Sequence, residues 1–151
     1  MKIFTQFIAL IATGLLAGCF FYGAVNLVPA FYEVPVNVHL IFRVQLMNHN
    51  GVTVQTLMGL SIITPLIYAW LFRKDKNFAI LAALLALTAL LVTRFGNVPI
   101  NQIMRTWTPD TPPENWRAIL QRWDFFNLIR TVAGIGSFVS MLIATHLNNS
   151  R

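Results

Sequence analysis

From Ile3 to Tyr32 the chain runs for thirty residues without one formal charge. A bilayer core about 30 Å thick is crossed by roughly 20 mostly apolar helical residues. This opening stretch is therefore long enough to span a membrane and still reach Pro29, where the span is expected to end. Three further apolar stretches follow, at about 52–72, 77–95 and 128–147. Composition agrees: 56% of the 151 residues are hydrophobic and only 11% are charged, against about a quarter charged in soluble domains. A soluble globular enzyme or a separate aqueous domain is thereby excluded. The expectation is a single all-α domain over 1–151, an integral membrane four-helix bundle with the lipid bilayer as its main partner.

Lys2 before an apolar run resembles a secretory signal, and Leu16-Ala17-Gly18-Cys19 has the form of a lipoprotein cleavage site. The residues after Cys19 stay apolar through Val25, where a lipidated chain would begin with a polar tether, so this stretch reads as a span. The lone Cys19 also excludes an internal disulfide. The net charge of +6 does not indicate nucleic acid, because the Lys and Arg residues punctuate apolar runs instead of lining a face.

Pro35 suits the first turn of a new helix, so Val36 to Asn50 is expected to form an interfacial helical segment after span 1. The second span closes with Trp70 and Phe72 ahead of Arg73-Lys74-Asp75-Lys76, a belt-and-anchor ending. A second interfacial segment is expected after span 3, interrupted by the turn Thr108-Pro109-Asp110-Thr111-Pro112-Pro113. Pro113-Glu114 then suits a helix start, and that helix can run unbroken into the fourth span. Gly134, Gly136, Ser137 and Ser140 permit close helix approach, either inside one bundle or between copies of a homo-oligomer. Short-loop basic residues weigh toward the side holding Lys2 and the Arg73–Lys76 cluster, which places both termini in the cytoplasm.

An even span count puts the two polar segments on one side of the membrane. His39 and Arg43 lie four apart, as do Asn97 and Asn101, so each pair shares a helix face. Trp116, Trp123, Asn127 and Arg130 fall within a stripe under about 80° wide on the last helix. Polar groups at membrane depth are costly unless they face the protein interior or a wet cavity. This stripe is a candidate site, although Arg130 alone could snorkel, Asn127 could tie helices together, and each tryptophan could serve an aromatic belt. His39 is the natural general base or acid, since imidazole titrates near working pH; a structural role is the competing reading. His49 and His146 are assigned no role. No close cluster of His, Cys and carboxylate suggests a metal, and no phosphate loop, dinucleotide fingerprint or nucleophile elbow suggests a cofactor or a hydrolase.

The pattern Asn97-x-Pro99-x-Asn101, a proline-containing loop, then Trp116, Arg122-Trp123, Asn127 and Arg130 ahead of a small-residue span resembles the anthrone-oxygenase-like family of small four-helix membrane proteins. Gly18, Pro29 and a proline-opened helix holding His39 are similar to its N-terminal half, so the resemblance runs from about Gly14 to Ala144. It implies oxidation of an anthrone to an anthraquinone by molecular oxygen, without metal or flavin. On that reading His39 is the base, Asn97, Asn101 and Asn127 are oxyanion donors, and Arg130 is the electrostatic partner. Trp116 and Trp123 are then walls for a flat lipophilic aromatic ligand, with Arg43 beside them. The alternative is a non-catalytic membrane scaffold or accessory subunit whose polar stripe binds a partner or neighbouring helices.

Overall fold

A computed structural model describes residues 2–73 and 76–149, with the side chain of residue 149 excepted. Among the described residues the chain is helical, with no strand beyond an isolated bridge between Thr108 and Thr111. The elements are α1 (Lys2–Tyr22), a π turn (Gly23–Leu27), α2 (Val28–Tyr32), α3 (Val36–Leu71), α4 (Lys76–Val92), a second π turn (Thr93–Asn97), α5 (Val98–Met104) and α6 (Trp116–Asn149). Four rods result, each long and apolar enough to cross a membrane. α1 packs on α3 and α6, and α4 packs on the same two, so α3 and α6 face each other across a diagonal.

Each π turn has a local cause. Proline lacks an N–H and its ring conflicts with the carbonyl four residues back. Ahead of Pro29 and of Pro99 the ladder shifts by one residue, with Val28 N–H donating to Gly23 O and Val98 N–H to Thr93 O. Such wide turns often mark functional positions in helices, and both border the cavity described below.

Helix packing is inside out relative to a soluble protein. Ala79, Ala82, Ala83, Ala86 and Ala89 of α4 are buried, while Leu81, Leu84, Leu87 and Leu91 point outward. Lipid solvates leucine as well as a protein core does, so close approach of small residues drives association. The same rule shapes α6. Gly134 faces Phe20 and the backbone of Ala17, Gly136 faces Leu85, and Ser137 Oγ donates to Ala82 O at 2.8 Å. These small residues are thus used inside the bundle.

Two boundaries differ from expectation. Val36 to Asn50 is helical, but it is the first part of α3, a continuous 36-residue helix, and no separate interfacial helix stands there. Asn48-His49-Asn50-Gly51 lacks a proline, and a helical glycine costs only about 1 kcal/mol, so the hydrogen-bond ladder continues through it. After span 3, α4 extends through the π turn into α5, and α6 begins at Trp116 instead of Pro113. Trp116 N–H donates to Pro113 O at 2.9 Å in the turn that leads in.

At about 1.5 Å per residue, α3 and α6 are each roughly 50 Å long, well beyond the hydrocarbon thickness. The end holding Lys2, Arg73 and Lys76 is flush, so the excess length projects at the other end. Three buried layers fill the bundle. One surrounds Tyr68 and Met141, a middle layer holds Leu16, Phe20 and Met58, and a cap holds Leu40, Ile100, Met104 and Leu120.

Candidate functional site: a cationic cavity between two core layers

Between the middle layer and the cap lies a partly open cavity of about 590 Å³, within the range of small-molecule sites. Phe20 and Met58 stand at its floor; Met47, Met104 and Trp123 stand toward the cap. Eighteen residues, about 27 Å of helix, separate Lys2 from Phe20. The floor therefore lies about 27 Å along the first rod from its Lys2 end.

Four polar side chains of the lining come from α3, α5 and α6. Arg43 comes from α3, Asn101 from α5, and Asn127 and Arg130 from α6, with Trp123 on the last helix. Arg43 is 4% exposed and its Nη2 donates to Asp124 Oδ1 at 2.8 Å, across the α3/α6 diagonal. Asp124 Oδ2 accepts from Tyr32 Oη at 2.5 Å. The Nε and Nη1 of Arg43 are buried with no partner among the described residues. The Arg130 Nε and Nη2 both donate to Asn127 Oδ1, at 3.0 and 2.8 Å. No described carboxylate pairs with Arg130, whose guanidinium lies over the Phe20 ring at 4.7 Å.

Trp123 is the meeting point. The Arg43 and Arg130 guanidiniums lie over its ring at 4.7 and 5.3 Å. Its Nε1 donates to Asn101 Oδ1 at 2.7 Å, and its carbonyl accepts from Asn97 Nδ2 at 3.0 Å. Each cation–π contact contributes about 0.5–2 kcal/mol, more where desolvated, and helps hold the two like charges near one another.

Of the residues singled out from the sequence, Arg43, Asn101, Trp123, Asn127 and Arg130 line the cavity. Asn97, fully buried, supports α6 from behind. His39 and Trp116 lie outside the lining. His39 is 1% exposed, stacked on Phe31 at 5.2 Å with Tyr32 and Trp116 edge-on at 5.1 and 5.7 Å, and its Nε2 has no partner among the described residues. Phe31 also carries the Arg43 guanidinium at 5.0 Å, which puts His39 one ring behind the wall. Asp124 and Tyr32 were not singled out by sequence. Asp124 is one of five acidic residues in the chain and sits one position after Trp123; that scarcity was the available signal. Among the described residues no three His, Cys, Asp or Glu side chains gather as a metal would need.

Four apolar rods around a polar, ring-lined chamber define a multi-pass membrane protein with an internal site of small-molecule size. The family model of anthrone oxygenase matches residues 45–140, close to two thirds of the chain, and the protein belongs to that family. The matched stretch contains Asn97, Asn101, Trp116, Trp123, Asn127 and Arg130, and begins two residues after Arg43. No curated protein and no solved structure matches the chain.

Proposed function

We propose that the cavity binds a small lipophilic aromatic compound and promotes its oxidation by molecular oxygen, as the family name suggests. The observation that carries this reading is the pair of guanidiniums over Trp123 inside the chamber, one of them with two unsatisfied N–H donors. For an anthrone the balance is one ring methylene and one dioxygen giving one ketone carbonyl and one water. Both methylene C–H bonds break, the carbon is oxidised, and dioxygen is the four-electron acceptor. The first C–H bond must ionise, its proton passing to water at the open side of the cavity, to leave an enolate, an electron-rich species that can donate to oxygen. Preorganised cations and N–H donors at the developing oxyanion favour that ionisation most where water is excluded. The Arg43 and Arg130 guanidiniums, whose charges border the cavity, are the groups we assign to this task, with Asn101 and Asn127 orienting the ring. His39 acts without touching substrate, by filling the space behind Phe31 and so fixing Arg43.

Oxygen uptake by proteoliposomes given an anthrone tests the proposal. The expected result is one dioxygen consumed per anthrone, with a fall of about 10²-fold or more in Arg43→Met and Arg130→Met. Uptake no faster than in protein-free vesicles would overturn it. A second reading is favoured by one observation. The Asn127–Arg130 and Asn101–Trp123 bonds satisfy part of the stripe internally, as a non-catalytic scaffold would. In both readings the Lys2, Arg73 and Lys76 end is cytoplasmic and the cavity lies at the opposite membrane surface.

A further inference from the structure

The charge balance of the chamber says more about its occupant than its size does. Three arginines line it, Arg43, Arg105 and Arg130, and no Asp or Glu is among the lining residues. The nearest established counter-charge, Asp124, takes one nitrogen of Arg43 and the Tyr32 hydroxyl, so its two oxygens are already engaged. Arg43 is nevertheless buried with Nε and Nη1 open, and Arg130 meets only the neutral amide of Asn127 and two rings. Buried guanidiniums are ordinarily paired or fully hydrogen-bonded. Among the described residues the one carboxylate beside these two guanidiniums is Asp124, and it is taken up by Arg43, so an anionic group in the cavity would balance the remaining charge.

From this we propose that the cavity selects its ligand as a resting organic anion, an apolar ring system bearing a carboxylate or phenolate, with the anion between Arg43 and Arg130. The inference rests on the proposed function, since it takes the chamber to be a small-molecule site and the apolar body to be aromatic. It adds the charge state. The anion lies beside Trp123, which carries both guanidiniums, and the ring lies along the apolar part of the lining. A guanidinium is weakly hydrated and presents a rigid fork suited to carboxylate oxygens, and Trp123 keeps both forks in place. Asp124 is a positioning residue in this arrangement. It occupies one side of Arg43 and leaves the other to the ligand.

The test uses two probes of equal ring size, anthraquinone-2-carboxylate and neutral 2-(hydroxymethyl)anthraquinone, titrated into phosphatidylcholine proteoliposomes and read by tryptophan quenching. The expected result is a Kd at least about ten-fold lower for the carboxylate. In Arg130→Met that preference falls below about three-fold, and Arg130→Lys retains most of it. An unchanged midpoint of SDS unfolding reports an intact fold. If Arg130→Met loses both probes, the paired variant Arg43→Met/Asp124→Asn carries the same comparison, because it removes one guanidinium without stranding a carboxylate. Equal affinity for the two probes overturns the anion inference and leaves the aromatic reading standing. Binding of neither overturns the aromatic reading itself. Displacement of the carboxylate by added phosphatidylglycerol, but not of the neutral probe, would assign the cations to a lipid head group and also overturn the inference.

Discussion

Removing both members of the Arg43–Asp124 pair should cost no more than removing either one alone. The Nη2–Oδ1 distance is 2.8 Å, with the partners 4% and 20% exposed. For charge centres about 4 Å apart at an effective dielectric near 20, the attraction is about 4 kcal/mol. Breaking a buried pair from one side costs about 3–5 kcal/mol, because it strands a charge. Asp124 is one-fifth exposed and Arg43 keeps its contacts with Phe31 and Trp123, so the lower end, about 2–3 kcal/mol, is expected for Arg43→Met and for Asp124→Asn. The double variant should lose about as much as one single variant, giving a coupling of about 2 kcal/mol. Unfolding of the four proteins by SDS from mixed micelles measures each term. If the double loss equals the sum of the singles to within about 0.5 kcal/mol, the additivity expected of independent sites, the two residues do not act as a pair and the account of the α3/α6 diagonal is refuted.

Gly96→Ala would place a Cβ 2.5 Å from Phe126 Cγ, and overpacking of this kind costs about 1–3 kcal/mol; the same unfolding assay should show that loss and its partial recovery in Gly96→Ala/Phe126→Leu. His39→Phe keeps the stack on Phe31 and removes an unpartnered nitrogen, so stability should change by less than about 1.5 kcal/mol and oxygen uptake with an anthrone should persist; abolished uptake with an intact fold would return the base role to His39. Cys19 is free, exposed and part of the lining. Its alkylation by a maleimide should slow several-fold when anthraquinone-2-carboxylate is bound, and an unchanged rate would place the probe elsewhere.

What could be read in advance follows from how each feature is encoded. Four spans were legible because lipid imposes apolar runs of fixed minimum length. The α6 stripe was legible because Trp123, Asn127 and Arg130 repeat at helical spacing where the last helix enters its apolar span. The continuity of α3 was not. Asn48 to Gly51 has the composition of a turn, but it holds no proline, so the helical ladder passes through it at small cost. The turn at 108–113 was legible from its prolines and does separate α5 from α6, whereas the π turn by which the helix passes Pro99 has no signal in spacing alone. The alanine face of α4 lay in plain view at 79, 82, 83, 86 and 89, but it signals burial only once lipid, not water, is taken as the solvent. Asp124 was hidden because its partners, Arg43 and Tyr32, are 81 and 92 residues away. Spacing along one helix carries no information about such pairs, and for the same reason His39 could not be placed behind Phe31.

The central claim is that the chamber holds a lipophilic aromatic molecule. Native mass spectrometry of the protein, gently extracted from its own membrane, addresses it directly when wild type is compared with Asn127→Ala/Arg130→Ala. The account predicts a small aromatic adduct on the wild type that is lost from a variant of unchanged fold. A wild type that carries no such adduct, and acquires none when an anthrone or an anthraquinone carboxylate is supplied, contradicts it.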